Sequence, residues 1–143
     1  MSSDSPGVTN LIAENIMTAQ TFSVTTDMTV ESVIRELIDR KISGAPVVDS
    51  TRTVISVISE VDLMKFAAAG GVKRQVGEFM DKLVSQDKIL KVEKKDSFKE
   101  IFKHFLLNPV RRVIVVDSAD KIQGIISRRD ILRAFLDAES SGE

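Results

Sequence analysis

Residues 113–131 read VIVVDSADKIQGIISRRDI, and residues 45–63, which lie 68 positions earlier, read APVVDSTRTVISVISEVDL. Laid over one another, the two stretches share Val47/Val115, Val48/Val116, Asp49/Asp117, Ser50/Ser118, Ile58/Ile126, Ser59/Ser127 and Asp62/Asp130. Each runs from an apolar segment through a polar turn into a second β-rich segment, and then into Ser-x-x-Asp. The same shift superimposes the chain without a gap from Val24 to Phe66 and adds the pair Val24/Val92. Because the identities fall at matching structural punctuation, the chain reads as an internal duplication.

The two halves share one predicted element order. Val30, Val33, Ile34, Leu37 and Ile38 recur at helical spacing, and Phe98, Ile101, Phe102, Phe105 and Leu106 repeat that stripe. Thr29 and Ser97 stand where N-caps belong, and Ser97 with Glu100 spells a capping box. Pro46–Val48 and Val113–Val116 read as buried strands. Val54–Ile58 and Ile122–Ile126 follow them across polar turns, so each pair makes a hairpin. Second helices start at Ser59 and Ser127 and end near Ala69 and Leu136, with Gly70-Gly71 at the join. Short strands at Phe22–Val24 and Ile89–Val92 precede the first helices, which gives β-α-β-β-α twice. Half a chain of this size is marginal for an independent core.

Composition narrows the function. The 143 residues carry 20 Lys+Arg against 21 Asp+Glu, so no whole-protein basic field argues for nucleic acid. A hydrophobic share of 43% excludes a disordered chain. There is no cysteine, which removes disulfides, thiolate catalysis and cysteine-ligated zinc, and the single histidine is too few for a typical zinc site. The lysines from Lys88 to Lys103 alternate with Asp87, Glu93, Asp96 and Glu100, a charge-balanced face. No Walker-type loop, dinucleotide glycine fingerprint or nucleophile elbow is present. His104 reads as a surface or boundary residue. The opening decapeptide is Ser/Gly/Pro-rich with no apolar run behind it, and no stretch is long enough to span a membrane. A cytoplasmic, non-enzymatic protein is the expectation. With neither Trp nor Tyr, its near-ultraviolet spectrum would be dominated by any bound purine.

The paired motifs resemble cystathionine-β-synthase (CBS) domains. They are Pro46-Val-Val-Asp49 with Ser56-Val-Ile-Ser-Glu-Val-Asp-Leu63, and Ile114-Val-Val-Asp117 with Gly124-Ile-Ile-Ser-Arg-Arg-Asp-Ile131. Ile16-Met17-Thr18 and Val76-Gly-Glu-Phe-Met80 resemble the family's lead-in to each repeat. The resemblance implies an α+β fold of two repeats related by a pseudo-two-fold axis, at residues 8–69 and 72–137, with flexible tails at 1–7 and 138–143. It also implies a regulatory module that binds AMP, ADP, ATP or S-adenosylmethionine between its repeats, forms a homodimer and signals to a regulated protein whose identity the sequence does not specify. A ligand-free dimerisation or scaffold module with degenerate clefts is the alternative.

Carried over from the family, one cleft would combine Thr18, Phe22, Ile42, Ser43, Gly44, Ala45 and Pro46 with Ser127, Arg128, Arg129 and Asp130. The other would combine Leu90, Val110, Arg111 and Arg112 with Ser59 and Asp62. Asp130 would accept the ribose hydroxyls, Ile42 would pack on the base, and the arginines would favour phosphate. The copies differ: Ser56 stands where Gly124 does, Glu60 and Val61 where Arg128 and Arg129 do, and Ile114 where Pro46 does. Ser-x-x-Asp is also an ordinary helix start, with Ser as N-cap and an acid at N3. Capping and ligand binding are both open at this point.

Overall fold

A computed structural model describes residues 6–19, 22–83 and 89–141. The chain divides into two compact units, one spanning Thr21–Ile89 and the other joining Met1–Gln20 to Leu90–Glu143.

In the Thr21–Ile89 unit, helix α3 (Val30–Arg40) begins where the stripe predicts, and Thr29 Oγ1 accepts the Ser32 N–H at 3.1 Å. Val30, Val33 and Leu37 are buried, whereas Ile38 is 68% exposed. Eight residues after Val30, a helix has turned about 80° off the stripe axis, so Ile38 falls on its edge. Strands β2 (Gly44–Val48) and β3 (Val54–Ser59) form the expected antiparallel hairpin, with Gly44 opposite Ser59 and Val47 opposite Ser56. The strand expected at Phe22–Val24 contracts to one bridge. Val24 accepts from Val48 N–H and donates to the Pro46 carbonyl, both at 2.8 Å, before the chain turns at Thr25–Met28.

Helix α4 (Glu60–Ala68) follows β3 directly, and a 3-10 stretch, Val76–Lys82, packs back on this unit. There Phe79 stacks on Phe66 at 4.5 Å and Val76 N–H reaches the Met28 carbonyl at 2.8 Å. Glu31 in the first turn of α3 accepts from Lys73 at 2.8 Å and from Arg35 at 2.9 Å. These bonds, Lys73's foremost, hold the Glu31 carboxyl below its ordinary range.

The other unit is built on a four-stranded sheet in the order β1-β6-β5-β4. Strands β5 (Arg112–Val116) and β6 (Ile122–Ser127) repeat the hairpin, and β4 (Lys91–Val92) runs parallel to β5. The strand expected at Ile89–Val92 is thus two residues long. Strand β1 (Thr18–Ala19) pairs with β6, placing Ala19 opposite Gly124. Helices α1 (Pro6–Thr9) and α2 (Ala13–Ile16) lie in this unit too, with Ala13 N–H bonded to Asp96 O at 2.9 Å and Phe98 N–H to Leu11 O at 2.9 Å. The beginning of the chain therefore completes the core of the second repeat: Val8 and Ala13 are buried with Phe98, Ile101, Val113 and Ile126.

Helix α5 (Phe98–Leu107) starts at Ser97, whose Oγ accepts the Glu100 N–H at 3.2 Å. Only this half of the expected capping box forms, and the Glu100 carboxylate instead lies 3.9 Å from Lys103 Nζ. Leu106, like Ile38, sits at the edge of its stripe and is 66% exposed. Helix α6 (Arg128–Ser141) outruns the end expected near Leu136, so residues 138–141 are helix and not tail. Ala138 is buried there, with Gly7 so close that a Cβ on it would stand 3.0 Å from Ala138 Cβ. Residues 1–5 and 142–143 of the expected tails lie outside the described residues.

Both hairpins turn in the same way. Asp49 Oδ1 accepts the N–H groups of Thr51 and Thr53 at 2.8 and 3.0 Å, and Asp117 Oδ1 those of Ala119 and Lys121 at 2.9 and 3.0 Å. Each loop then passes through a left-handed residue at the same repeat position, Arg52 (φ 72°) and Asp120 (φ 66°). The duplicated aspartate is a turn-former, its carboxylate replacing backbone acceptors the tight loop lacks.

The position shared by Ser56 and Gly124 behaves oppositely in the two units. A Cβ on Gly124 would come within 2.8 Å of the Thr18 carbonyl oxygen and 2.7 Å of Met17 Sδ, so glycine there lets β1 lie against β6. Ser56 carries its side chain into a buried setting where Oγ has no hydrogen-bond partner. Gly124→Ala is expected to destabilise the protein by about 1–3 kcal/mol through the forced displacement of β1. Ser56→Ala is expected to be neutral or stabilising, because it removes an unsatisfied hydroxyl. Urea denaturation midpoints of the two variants check both signs.

Candidate ligand-binding site

Each repeat runs a strand straight into a helix N-terminus, and each junction carries the Ser-x-x-Asp signature. At the first, the Ser59 backbone is extended (φ −117°, ψ 171°) and α4 begins at the next residue. Ser59 N–H and Oγ–H both donate to Asp62 Oδ2, at 2.8 and 2.9 Å, and Asp62 N–H returns a bond to Ser59 Oγ at 3.4 Å. The second junction repeats this. Ser127 N–H and Oγ–H donate to Asp130 Oδ2 at 2.8 and 3.1 Å, and Asp130 N–H donates to Ser127 Oγ at 3.2 Å. Both pairs are reciprocal capping boxes, and the acid at N3 also meets the positive end of the helix dipole. The capping reading of the motif therefore holds in both copies.

The carboxylates are buried as well as bonded. Asp62 is 0% exposed and Asp130 6%. Their surroundings differ. Asp130 Oδ1 accepts Arg133 Nη1 at 2.8 Å, one turn further along α6, whereas the matching residue of α4 is Lys65. That Asp130–Arg133 pair follows the i, i+3 rule and is open to sequence reasoning, although Arg133 is not among the expected site residues. Arg128 and Arg129 are exposed in the first turn of α6, as Glu60 is in α4.

Of the expected site residues, Thr18 and Asp130 meet on the wall of one cavity of about 380 Å³, together with Asn15, Arg133 and Asp137. Hydroxyl, amide, carboxylate and guanidinium groups facing one space suit a polyhydroxylated small molecule. Ile42 and Ser43 line a different space, a groove of about 550 Å³ between α3 and α4. The Ser43 carbonyl accepts the Glu60 N–H at 3.1 Å and Gly44 pairs with Ser59, so Ile42–Gly44 lie beside the Ser59 junction of their own unit. Arg112, paired with Ser127, takes the same place in the other unit, after the buried Val110 and exposed Arg111.

Ala45 and Pro46 are buried inside β2. Phe22 is a core residue with the Arg40 guanidinium 5.1 Å from its ring centroid, and Leu90 packs against the core while accepting the Ile114 N–H at 2.9 Å. Among the described residues no cluster of His, Asp and Glu has the arrangement of a metal site. No described helix is long and apolar enough to cross a membrane.

Comparison with known proteins gives this geometry a context. The sequence profile of the CBS domain matches residues 13–69 and again 76–137. A 17.7 kDa uncharacterized protein of Acidianus ambivalens is 26% identical over 125 residues, covering 87% of this chain and 73% of its own. The gamma-3 subunit of 5'-AMP-activated protein kinase from Sus scrofa is 26% identical over 103 residues, 69% of this chain but 20% of that subunit. Among solved structures, CBSX2 of Arabidopsis thaliana in complex with AMP superimposes with a TM-score of 0.74 at 25% identity, over 91% of this chain and 99% of that one. The architecture is that of a CBS pair, with mixed α/β content in two tandem repeats.

Removing either aspartate strands an extended serine N–H and uncaps a helix. In ligand-free protein, Asp62→Ala and Asp130→Ala are each expected to cost about 0.5–2 kcal/mol. Thermal melts would register this, and a variant that melts with the wild type would remove capping from that copy.

Proposed function

This chain belongs to the CBS domain family, of which it carries two copies, and we propose that it is a regulatory module for an adenosine-containing ligand. The observation that carries the reading is the buried Asp130 carboxylate on the wall of a cavity it shares with Thr18. It stands in a chain 25% identical to one solved in complex with AMP. Asp130 Oδ2 already accepts two bonds from Ser127 and Oδ1 one from Arg133, so Oδ1 is the oxygen with room to accept from a ribose hydroxyl. Arg128, Arg129 and the first-turn N–H groups of α6 supply the charge and donors that a phosphate needs.

The regulatory step is a population shift. A ligand that binds one conformation of the module better than another shifts the population toward it, and a partner protein reads that conformation. The module is a cytoplasmic binding unit without catalysis of its own. It is also a homodimer. Met64 and Leu132, at the same place in the second helix of each repeat, are 70% and 68% exposed, and Ile38, Leu106, Leu107 and Leu136 are similarly bare. So much unpartnered apolar surface on the helices marks an association face.

A ligand-free scaffold is the second reading, and one observation favours it: both Ser-x-x-Asp carboxylates are already satisfied by their own helices. Calorimetric titration with AMP, ADP, ATP and S-adenosylmethionine separates the two. The sensor reading expects saturable binding of at least one ligand. Asp130→Ala is expected to weaken it by about 10- to 150-fold, the equivalent of roughly 1.5–3 kcal/mol for a charged acceptor. Asp62→Ala is expected to cost less at the tighter site, since Glu60 stands beside it. If Asp130→Ala binds as wild type does and is merely less stable, Asp130 is a cap alone and the scaffold reading stands.

A further inference from the structure

The cavity that holds Asp130 has two walls of unlike origin. One is a single face of α6, on which Asp130, Arg133, Ala134 and Ala138 follow at helical spacing. The other is the beginning of the chain, through Gly7, Leu11, Asn15 and Met17. This strap, Pro6–Met17, meets α6 closely at its far end, where a Cβ on Gly7 would stand 3.0 Å from Ala138 Cβ. It is rooted at the near end, where Thr18 and Ala19 pair with Ile125 and Gly124 of β6. Along the length between, the cavity of about 380 Å³ separates strap from helix, so the two walls lack the direct contacts of a close-packed pair.

Little else holds the strap down. Its helices α1 and α2 are four residues each, a single turn, too short to be stable by themselves. Three backbone bonds tie it to the segment around the start of α5. Ala13 N–H donates to Asp96 O at 2.9 Å, Glu14 N–H to Lys94 O at 3.0 Å, and Phe98 N–H to Leu11 O at 2.9 Å. Val8 and Ala13 are its buried side chains among the described residues. The hairpin beneath is of another kind, with Val113, Ile114, Val115 and Ile126 all buried to within 1% of exposure. A segment with so few buried apolar contacts opens locally, ahead of the fold as a whole.

We propose that the strap is the moving part of the module: a ligand seated against Asp130 touches both walls and locks Pro6–Met17 onto α6. Without ligand the strap opens and closes, and opening takes away one wall, so the open form does not hold the ligand. Opening also withdraws Val8 and Ala13 from the core they share with Ile101 and Ala134. The ligand-free protein therefore shows a partner an apolar strip of α6 that the liganded protein covers. The inference rests on the adenosine-ligand reading and deepens it, by supplying the two-state element that a population shift needs.

Amide hydrogen exchange, read residue by residue by magnetic resonance, tests it. The amides of Ala13 and Glu14 report the strap, and that of Ile114, bonded to Leu90 O at 2.9 Å, reports the sheet beneath. In ligand-free protein the strap amides are expected to exchange at least tenfold faster than Ile114. The tightest binder among AMP, ADP, ATP and S-adenosylmethionine, added at ten times its calorimetric Kd, is expected to slow Ala13 and Glu14 by about tenfold. That is the factor by which such a ligand depletes a form unable to bind it. Saturation that leaves the strap rates unchanged would overturn the inference, because binding would then not depend on the strap. Equal rates at Ala13 and Ile114 in ligand-free protein would also overturn it, by showing that the strap opens only when the whole unit unfolds. No calorimetric binding of any of the four compounds would instead reject the ligand reading on which the inference rests.

Discussion

Reciprocal hydrogen bonds between a serine that ends a strand and an aspartate three residues further on, in the following helix, set the geometry on which the rest of each repeat depends. The box forms because the strand delivers an extended backbone whose last N–H has no partner in the ladder, and because the next turn begins at once. Ser59 and Ser127 then fix where α4 and α6 start. That start sets which faces of the helices meet the core, with Leu63 and Phe66 inward in one and Ile131 and Ala134 in the other. It also withdraws the carboxylate from water at a site rich in donors. On the proposed ligand-binding reading, stability and recognition share one group.

The units obtain their cores by different means. One is closed by Val76–Lys82, whose Phe79 stacks under α4. The other is closed by the beginning of the chain, through α1, α2 and the strand β1 that Gly124 admits. The duplicated pattern is therefore not two beads on a string. The compact units fall at Gln20/Thr21 and Ile89/Leu90, not at the glycine pair where the repeats join in sequence. Segments that introduce a repeat in the sequence serve a neighbouring core, which relieves the shortage of apolar area in a half-chain of this size.

Much of this was legible in the sequence because it is local. Cap residues, helical stripes, hairpins and the helix starts at Ser59 and Ser127 depend on residues within a few positions, and each was repeated 68 positions on. What depended on distant groups was not. The burial edge at Ile38 and Leu106 follows from how far the helix turns past its packing partner. The continuation of α6 through Ala138 depends on Gly7, and the reduction of Phe22–Val24 to a single bridge on the turn that follows it. At the site, the signature residues were visible and the Asp130–Arg133 pair lay within reach of the i, i+3 rule, but spacing did not show that both carboxylates are folded back onto their own serines. That fact belongs to side-chain geometry, which spacing permits but does not require.

The central claim is that the Ser127–Asp130 junction is at once a helix cap and the place where an adenosine ligand docks. Amide proton–nitrogen spectra of the uniformly labelled protein, recorded while AMP is titrated to saturation, test it most directly. The account predicts saturable shifts in the backbone amides of Ser127, Arg128, Arg129 and Asp130, and in that of Thr18 on the same cavity wall. Amides at both Ser-x-x-Asp junctions that stay fixed through millimolar AMP, or shifts confined to residues remote from them, would contradict it.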